Sequence, residues 1–178
     1  MEELEDPTER LKETMEAAEE KKERWTMHVA LSTAIIAVLA AIAGLYGNHH
    51  ANEAMLDQIK ESDQWAYYQS KSIKAEITKS TEQILIAVGK TLPPESEDKK
   101  KKYEEEKIEL QKKATEAHES SESHMHKHIV LSRAVTIFQI AVALSAVAIL
   151  TRRKLVWYGS MALAAAGCVF LVMGFLAT

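Results

Sequence analysis

The chain has 178 residues and a formal net charge of −4, and charged residues make up 27% of it. Its single cysteine, Cys168, excludes a disulfide framework and a metal site built on cysteines, and no basic patch with interleaved aromatic residues points to nucleic acid. The mean hydropathy of −0.19 conceals two populations, since three long apolar runs stand beside two highly charged stretches.

Residues 1–25 form the first predicted element, a charged helix on the cytoplasmic side. Asp6 suits the N-cap, Pro7 suits the first helical position, and Glu9 completes a capping box. The rest of this segment is rich in Glu, Lys and Arg, which is typical of a solvated helix.

Three apolar runs predict transmembrane helices at 26–46, 128–150 and 155–177. They contain no Asp, Glu or Lys, and Arg133 is their only arginine. A helix of roughly 20 apolar residues spans a bilayer core and satisfies its own backbone hydrogen bonds. A soluble helical core is the alternative, but too little sequence remains to cover three such helices.

The segment 47–127 predicts a long helical hairpin between the first two spans. Its apolar residues recur at helical spacing, and the prolines at 93 and 94 predict a turn at 92–96. Each arm would reach roughly 45–65 Å beyond the membrane. The two arms must be antiparallel, because both return to the same membrane face. We therefore expect an all-α membrane protein with three transmembrane helices and a long extramembrane antiparallel helical hairpin between spans one and two.

Basic residues predict the orientation. Lys21, Lys22 and Arg24 precede the first span, and the turn at 151–154 holds Arg152, Arg153 and Lys154. Two crossings separate these sites, so both lie on one side, and short basic segments stay cytoplasmic. We expect a bacterial inner membrane protein with a cytoplasmic N-terminus and with the hairpin and the C-terminus in the periplasm.

The first arm carries apolar residues on two faces. One stripe comprises Met55, Ile59, Ala66, Ile73, Ile77 and Ile84. Tyr67 lies at its edge, and Trp65 and Tyr68 lie on a second face that a single antiparallel arm does not cover. Aromatic residues with polar tips are favoured in interfaces. We therefore expect Trp65, Tyr67 and Tyr68 to form a contact between subunits, with a recruited envelope protein as the alternative partner.

Three strings carry a family resemblance: "NHHANEAMLDQIKESDQWAYYQSKSIKAE", "HIVLSRAVTIFQIAVAL" and "LTRRKLVWYGSMALAAAGCVFLVMG". With them the chain resembles the bacterial membrane family named domain of unknown function 4337, over essentially its whole length. The resemblance implies a small bacterial membrane protein with several spans and no assigned activity. It supplies no catalytic residues.

Histidines cluster at both ends of the predicted hairpin that adjoin the membrane. The metal-ligand candidates are His49, His50, His124 and His128, and the spacing of four between the last two lets both imidazoles reach one ion. A carboxylate or a water molecule could complete the coordination of zinc, nickel or copper. The alternative is a polar collar that becomes charged in acid.

Polar residues also occur inside the second span, at Arg133, Thr136 and Gln139. They would line a pore in a homo-oligomer. Alternatively, Arg133 reaches the membrane interface and Gln139 forms a hydrogen bond with a neighbouring helix.

Small residues form stripes that favour close helix packing. One stripe lies on the first span and one on the third: Ala30, Ala34, Ala37, Ala41 and Gly44, and Ser160, Ala164, Gly167 and Gly174.

The sequence shows no arrangement typical of an enzyme, such as a phosphate-binding loop or a nucleophile beside a base. We expect no catalytic residue and no cofactor other than the transition metal considered above. The favoured function is a structural or recruiting element of the cell envelope that associates with itself through its helical stalk. The alternatives are a homo-oligomeric ion channel or transport accessory subunit, and a metal-binding protein.

Overall fold

The computed structural model describes residues 7–91 and 95–176, and the regular structure there is entirely helical. Helix α1 runs from Pro7 to Ala87, α2 from Glu95 to Thr151, and α3 from Lys154 to Leu176. The predicted all-helical class is therefore confirmed. The proposed cap at Asp6 and the middle of the predicted turn, 92–94, lie outside the described residues.

Helix α1 ends earlier than its prolines indicate, because Gly89 terminates it. Gly89 has a φ of 71°, the left-handed conformation that glycine adopts without a steric penalty. The amides of Gly89 and Lys90 donate to the carbonyls of Ile86 and Leu85, at 3.1 and 2.9 Å. This is the Schellman arrangement that satisfies the last carbonyl groups of a helix. The prolines at 93 and 94 therefore follow a helix that has already ended.

The chain divides into two compact units. The first comprises the residues up to Gly47 and those from Ile129 to 177, and the second comprises Asn48–His128. All three helices contain a segment long and apolar enough to cross a membrane. The prediction of three such helices is thus confirmed by length and composition.

The core of the first unit forms where α2 packs against α1 and α3. Its largest fully buried side chains are Phe138 and Leu131 of α2. Glycines on α3 make room for them, since a Cβ on Gly167 would lie 2.7 Å from the Phe138 ring and one on Gly174 would lie 2.6 Å from Leu131. The remaining core residues are mostly alanine and branched aliphatic side chains: Ile36, Ala43, Ala134, Ala141, Ala164 and Leu171.

The two predicted small-residue stripes differ in their burial within this unit. Ser160, Ala164, Gly167 and Gly174 of α3 are all buried. On α1, by contrast, the burial follows Val29, Ile36 and Ala43. The small residues beside them are exposed at four of five predicted positions: Ala30, Ala34, Ala37 and Ala41. The third-span stripe therefore packs within the chain, and most of the first-span stripe does not.

A buried polar contact also joins α2 to α3. The hydroxyls of Ser145 and Ser160 lie 2.8 Å apart and both side chains are fully buried. Nearby, Trp157 donates from Nε1 to the hydroxyl of Ser32 on α1, at 3.2 Å. Interhelical hydrogen bonds of this kind help apolar helices to associate where burial from water supplies no driving force.

In the second unit, α1 from Asn48 onward contacts α2 up to His128. The Ser121 hydroxyl donates to the Ala54 carbonyl at 2.9 Å, and Lys71 pairs with Glu106 at 2.6 Å. Lys100 forms an ion pair with Glu82. Residues later in α1 therefore contact residues earlier in α2.

Candidate functional site

The face of α1 that lies against α2 in the second unit is mostly polar. Its buried and half-buried positions alternate at spacings of three and four: Ala54, Asp57, Glu61, Gln64, Tyr68, Lys71, Ala75, Thr78, Glu82 and Leu85. This is heptad spacing, but polar side chains occupy six of these ten positions. On α2, residues at the same kind of spacing are buried or half-buried: Tyr103, Leu110, Ala114, Ala117, Ser121 and His124.

Charge pairing and hydrogen bonds hold this polar contact together. Asp57 is only 7% exposed, and it accepts hydrogen bonds from Lys60 at 2.7 Å and from the Ser120 hydroxyl at 2.6 Å. These two bonds lower the pKa of Asp57 below its ordinary value. The bond from Lys71 likewise lowers the pKa of Glu106, and the bond to Glu61 raises the pKa of His118. Pairs this close to water contribute little stability, because solvent screens their charges.

The apolar stripe predicted on α1 is largely exposed. Met55, Ile59, Ile73, Ile77 and Ile84 are between 52% and 63% exposed. With 100° per residue, these positions lie on the side of α1 opposite the polar face that contacts α2. The stripe extends over 30 residues from Met55 to Ile84, which is about 44 Å of helix. The two helices of the unit therefore leave the longest apolar surface of this segment without a partner among the described residues.

The expectation that an antiparallel arm leaves Tyr68 uncovered is wrong. Tyr68 is half-buried, and the Nζ of Lys107 on α2 lies 5.6 Å from its ring centroid. The Trp65 ring meets the Tyr68 ring edge-on, with centroids 5.4 Å apart. The sequence argument failed because it took the apolar stripe for the face that meets α2, whereas ion pairs and small residues select the polar face. Tyr67 is 60% exposed, and the role of these three aromatic residues in a subunit contact stays a prediction.

Two of the predicted metal-ligand histidines lie in direct contact. The Nδ1 atoms of His50 and His124 are 3.0 Å apart, and the ring of His49 lies beside that of His50 with centroids 5.6 Å apart. One Nδ1 must carry a proton and the other must not, so the pair is stable with neutral rings. His128 is half-buried one turn further along α2. The sequence paired His124 with His128, because only neighbours along one helix are visible in a sequence.

This histidine pair can share a proton or contribute to a metal site. Two nitrogens bound to one tetrahedral zinc ion lie roughly 3.3 Å apart, close to the separation found here. However, no group of three or more His, Cys, Asp or Glu side chains suited to a metal ion occurs in the described part of the chain. A metal held by His50 and His124 would thus need water or another molecule to complete its ligands. Metal binding stays a prediction.

The polar residues of the second span lie on the outside of the first unit. Arg133, Thr136 and Gln139 are all exposed. The Thr136 hydroxyl donates to the Ser132 carbonyl at 3.0 Å within its own helix. Gln139 lines an open groove beside Ala37, Ala41 and Gly44 of α1. These side chains thus face the surroundings of the unit, and their predicted pore role stays a prediction.

These features define an all-helical protein with three helices of transmembrane length, and they contain no arrangement that identifies an activity. A family model described as "Domain of unknown function (DUF4337)" matches residues 25–177. The chain belongs to this family, which confirms the resemblance carried by its sequence. No curated protein and no solved structure shows a significant match.

Proposed function

We propose that this protein is an integral membrane protein whose extramembrane helical hairpin associates with further copies of itself, and that it serves as a structural or recruiting element of the cell envelope. The observation that carries the proposal is the exposed stripe of Met55, Ile59, Ile73, Ile77 and Ile84. Burying a large aliphatic side chain contributes about 1.5–3 kcal/mol. A contact along this stripe would therefore stabilise an assembly far more than the surface ion pairs of the hairpin stabilise a single chain.

The residues beside the stripe favour a second copy as its partner. Most of the adjoining helical positions carry uncharged side chains, namely Asn52, Ser62, Gln69, Ser70 and Ser80, and the charged exceptions, Asp63, Lys74 and Glu76, are of mixed sign. Copies anchored in one membrane meet in the same register, so a charge at these positions would face the same charge on its neighbour. A border that is mostly uncharged limits that repulsion. Strong charge of one sign would instead have favoured a partner of opposite charge.

The first unit offers a second surface for such an assembly. Ala30, Ala34, Ala37 and Ala41 are exposed on α1, and small residues let transmembrane helices approach closely. Gln139 lies beside this surface and would donate or accept a hydrogen bond across it. We regard the groove near Gln139 as a contact between copies within the membrane.

The experiment that tests this function measures energy transfer between copies in a bilayer. Lys90→Cys in a Cys168→Ser background provides one labelling position on an exposed residue. Donor- and acceptor-labelled chains in the same vesicles should show transfer that persists when lipid dilutes them. Ile73→Gln with Ile77→Gln should abolish it, and Leu56→Gln with Ile86→Gln, equally exposed but off the stripe, should not. Transfer that falls to the random level on dilution of the parent protein would refute the proposal.

A channel or transport accessory subunit is the second candidate. It is supported by the exposure of Arg133, Thr136 and Gln139 on a helix of transmembrane length. Polar side chains in a bilayer normally face a partner or a water-filled cavity. Ion conductance of the purified protein in liposomes, lost on Gln139→Leu, would favour this candidate. A closed assembly without conductance would leave these side chains as contacts between helices.

We further propose that the N-terminal residues are cytoplasmic and that the hairpin lies on the opposite side of a bacterial inner membrane. Support comes from the basic residues around Lys21 and Arg152, which line one cavity and hence lie at one end of the first unit. Short basic segments remain on the cytoplasmic side. The Lys90→Cys variant should react with an impermeant maleimide on intact spheroplasts, and labelling only after lysis would reverse the orientation.

A further inference from the structure

A basic cavity lies at one end of the first unit, where α1 passes the turn between α2 and α3. Its volume is about 420 Å³. Cations make up half of its lining, and no carboxylate of the described residues lines it. The lining residues are Ala18, Lys21, Lys22, Trp25, Thr26, Ile149, Arg152 and Lys154.

No ion pair with a described residue neutralises the four cations of this cavity. None of Lys21, Lys22, Arg152 and Lys154 forms an ion pair with a described residue, whereas the neighbouring Arg24 pairs with Glu20 at 2.6 Å. Helix α3 begins at Lys154, so the partial positive charge of its first amide groups adds to theirs. Like charges held this close together repel one another unless an anion lies between them.

An unsatisfied hydrogen-bond donor gives a second and independent indication of a ligand. Trp25 lines the cavity, and its Nε1 is buried without a hydrogen-bond partner in the described part of the chain. Buried indole N–H groups usually have an acceptor, and each exception calls for an explanation. The adjacent Thr26 hydroxyl donates to the Lys22 carbonyl at 3.0 Å and is not hydrogen-bonded to the indole. An acceptor from outside the chain would satisfy the indole.

We propose that this cavity binds the phosphate group of an anionic membrane phospholipid. Phosphate oxygens accept charge-assisted hydrogen bonds from lysine, arginine and indole N–H groups together. The cavity lies where the apolar segments of α1 and α3 begin, which is the level of lipid headgroups for helices that cross the bilayer. Basic pockets between transmembrane helices bind anionic headgroups in this way. The inference requires membrane insertion and is independent of self-association.

The test counts lipids on the full chain by native mass spectrometry after extraction in an uncharged detergent. Purified protein is offered phosphatidylglycerol or phosphatidylcholine, and we expect retention of phosphatidylglycerol at least about tenfold stronger. Replacing Lys21, Lys22, Arg152 and Lys154 by Gln should remove that preference. The control replaces Lys90, Lys101, Lys102 and Lys112 by Gln, which changes the net charge equally on exposed positions of the second unit, and should retain it.

Two further measurements keep the result decisive. Trp25→Phe keeps an aromatic ring but removes the Nε1 donor, so it should weaken phosphatidylglycerol retention. This variant tests the proposal even if the fourfold variant does not fold. A separate arm adds millimolar inorganic phosphate without lipid and follows thermal unfolding. Equal retention of the two lipids, unchanged retention in the Trp25→Phe variant, or stabilisation by inorganic phosphate equal to that by phosphatidylglycerol would overturn the proposal.

Discussion

His50 and His124 face each other across the second unit with their Nδ1 atoms 3.0 Å apart. Burial lowers the pKa of His50, and the charges of His124, Lys127 and His49 lower it further, while Glu53 opposes them. The neutral form is therefore favoured in the folded chain. The stability that this preference contributes is complete above the ordinary pKa of 6.5 and is lost as the pH falls toward the lowered pKa of His50.

We therefore predict that mild acid loosens the second unit around this pair. Hydrogen exchange of the amides near His50 and His124 should accelerate as the pH falls below 6.5, after correction for the intrinsic rate. His50→Leu should remove this extra acceleration. His126→Leu, at an exposed position on the helix that carries His124, should leave it unchanged. The raised pKa of His118 acts in the opposite direction and is unaffected by either substitution. Equal acid sensitivity in the parent and His50→Leu chains would refute the prediction.

A second prediction concerns metal binding by the same pair. If a transition metal replaces the shared proton, purified protein should bind zinc or nickel, and His50→Ala with His124→Ala should lose the ion, because two of its ligands are gone. His118→Ala with His126→Ala removes the same number of imidazoles and should retain it. Metal content can be measured by inductively coupled plasma mass spectrometry. If the parent protein binds neither zinc nor nickel, the histidine pair is a hydrogen bond and not a metal site.

The contact between Gly167 and Phe138 predicts a large effect from one methyl group. A Cβ at Gly167 would lie 2.7 and 2.8 Å from two atoms of the Phe138 ring, so Gly167→Ala should destabilise the first unit by about 1–3 kcal/mol. A Cβ at Gly159, on the same helix, meets nothing within 4 Å. Gly159→Ala should thus be neutral or slightly stabilising. Thermal unfolding in detergent compares the two variants, and similar melting temperatures would contradict the packing described here.

The aromatic pair of the second unit predicts an energetic coupling. Trp65 and Tyr68 meet edge-on at 5.4 Å, so a double-mutant cycle with Leu at both positions should give about 0.5–1.5 kcal/mol beyond the single effects. Tyr67 is 60% exposed, and side chains two positions apart on a helix do not face each other. The same cycle between Trp65 and Tyr67 should be additive. Urea unfolding followed by circular dichroism supplies the free energies, and equal coupling in both cycles would contradict the contact.

The helices could be predicted from the sequence because uninterrupted apolar and helical periodicity is a local property. The end of α1 was misplaced, because proline is a more visible signal than the glycine four residues before Pro93. The pairing of helix faces could not be predicted from periodicity. Hydrophobic patterning favours the stripe of Ile73 and Ile77. The ion pair of Lys71 with Glu106 and the burial of Ala54 and Ala114 instead depend on the register between distant segments.

The candidate sites show the same division between local and distant relationships. The small residues of the first and third spans have similar spacing in the sequence, yet Gly167 is buried and Ala37 is exposed. The cationic cavity combines Lys21 with Arg152, which lie more than a hundred positions apart. The sequence showed both basic segments and their common side of the membrane. It did not show that they meet, nor that the Trp25 indole between them has no hydrogen-bond partner among the described residues.

The mass of the detergent-extracted protein tests the central claim of self-association most directly. Native mass spectrometry of the parent chain should give a multiple of 19.9 kDa, because the exposed stripe on α1 buries itself against further copies. Ile73→Gln with Ile77→Gln should give the single-chain mass with unchanged helix content, and Leu56→Gln with Ile86→Gln should keep the parent mass. A parent protein that remains at 19.9 kDa at every concentration, or an assembly that survives loss of the stripe, would contradict the account.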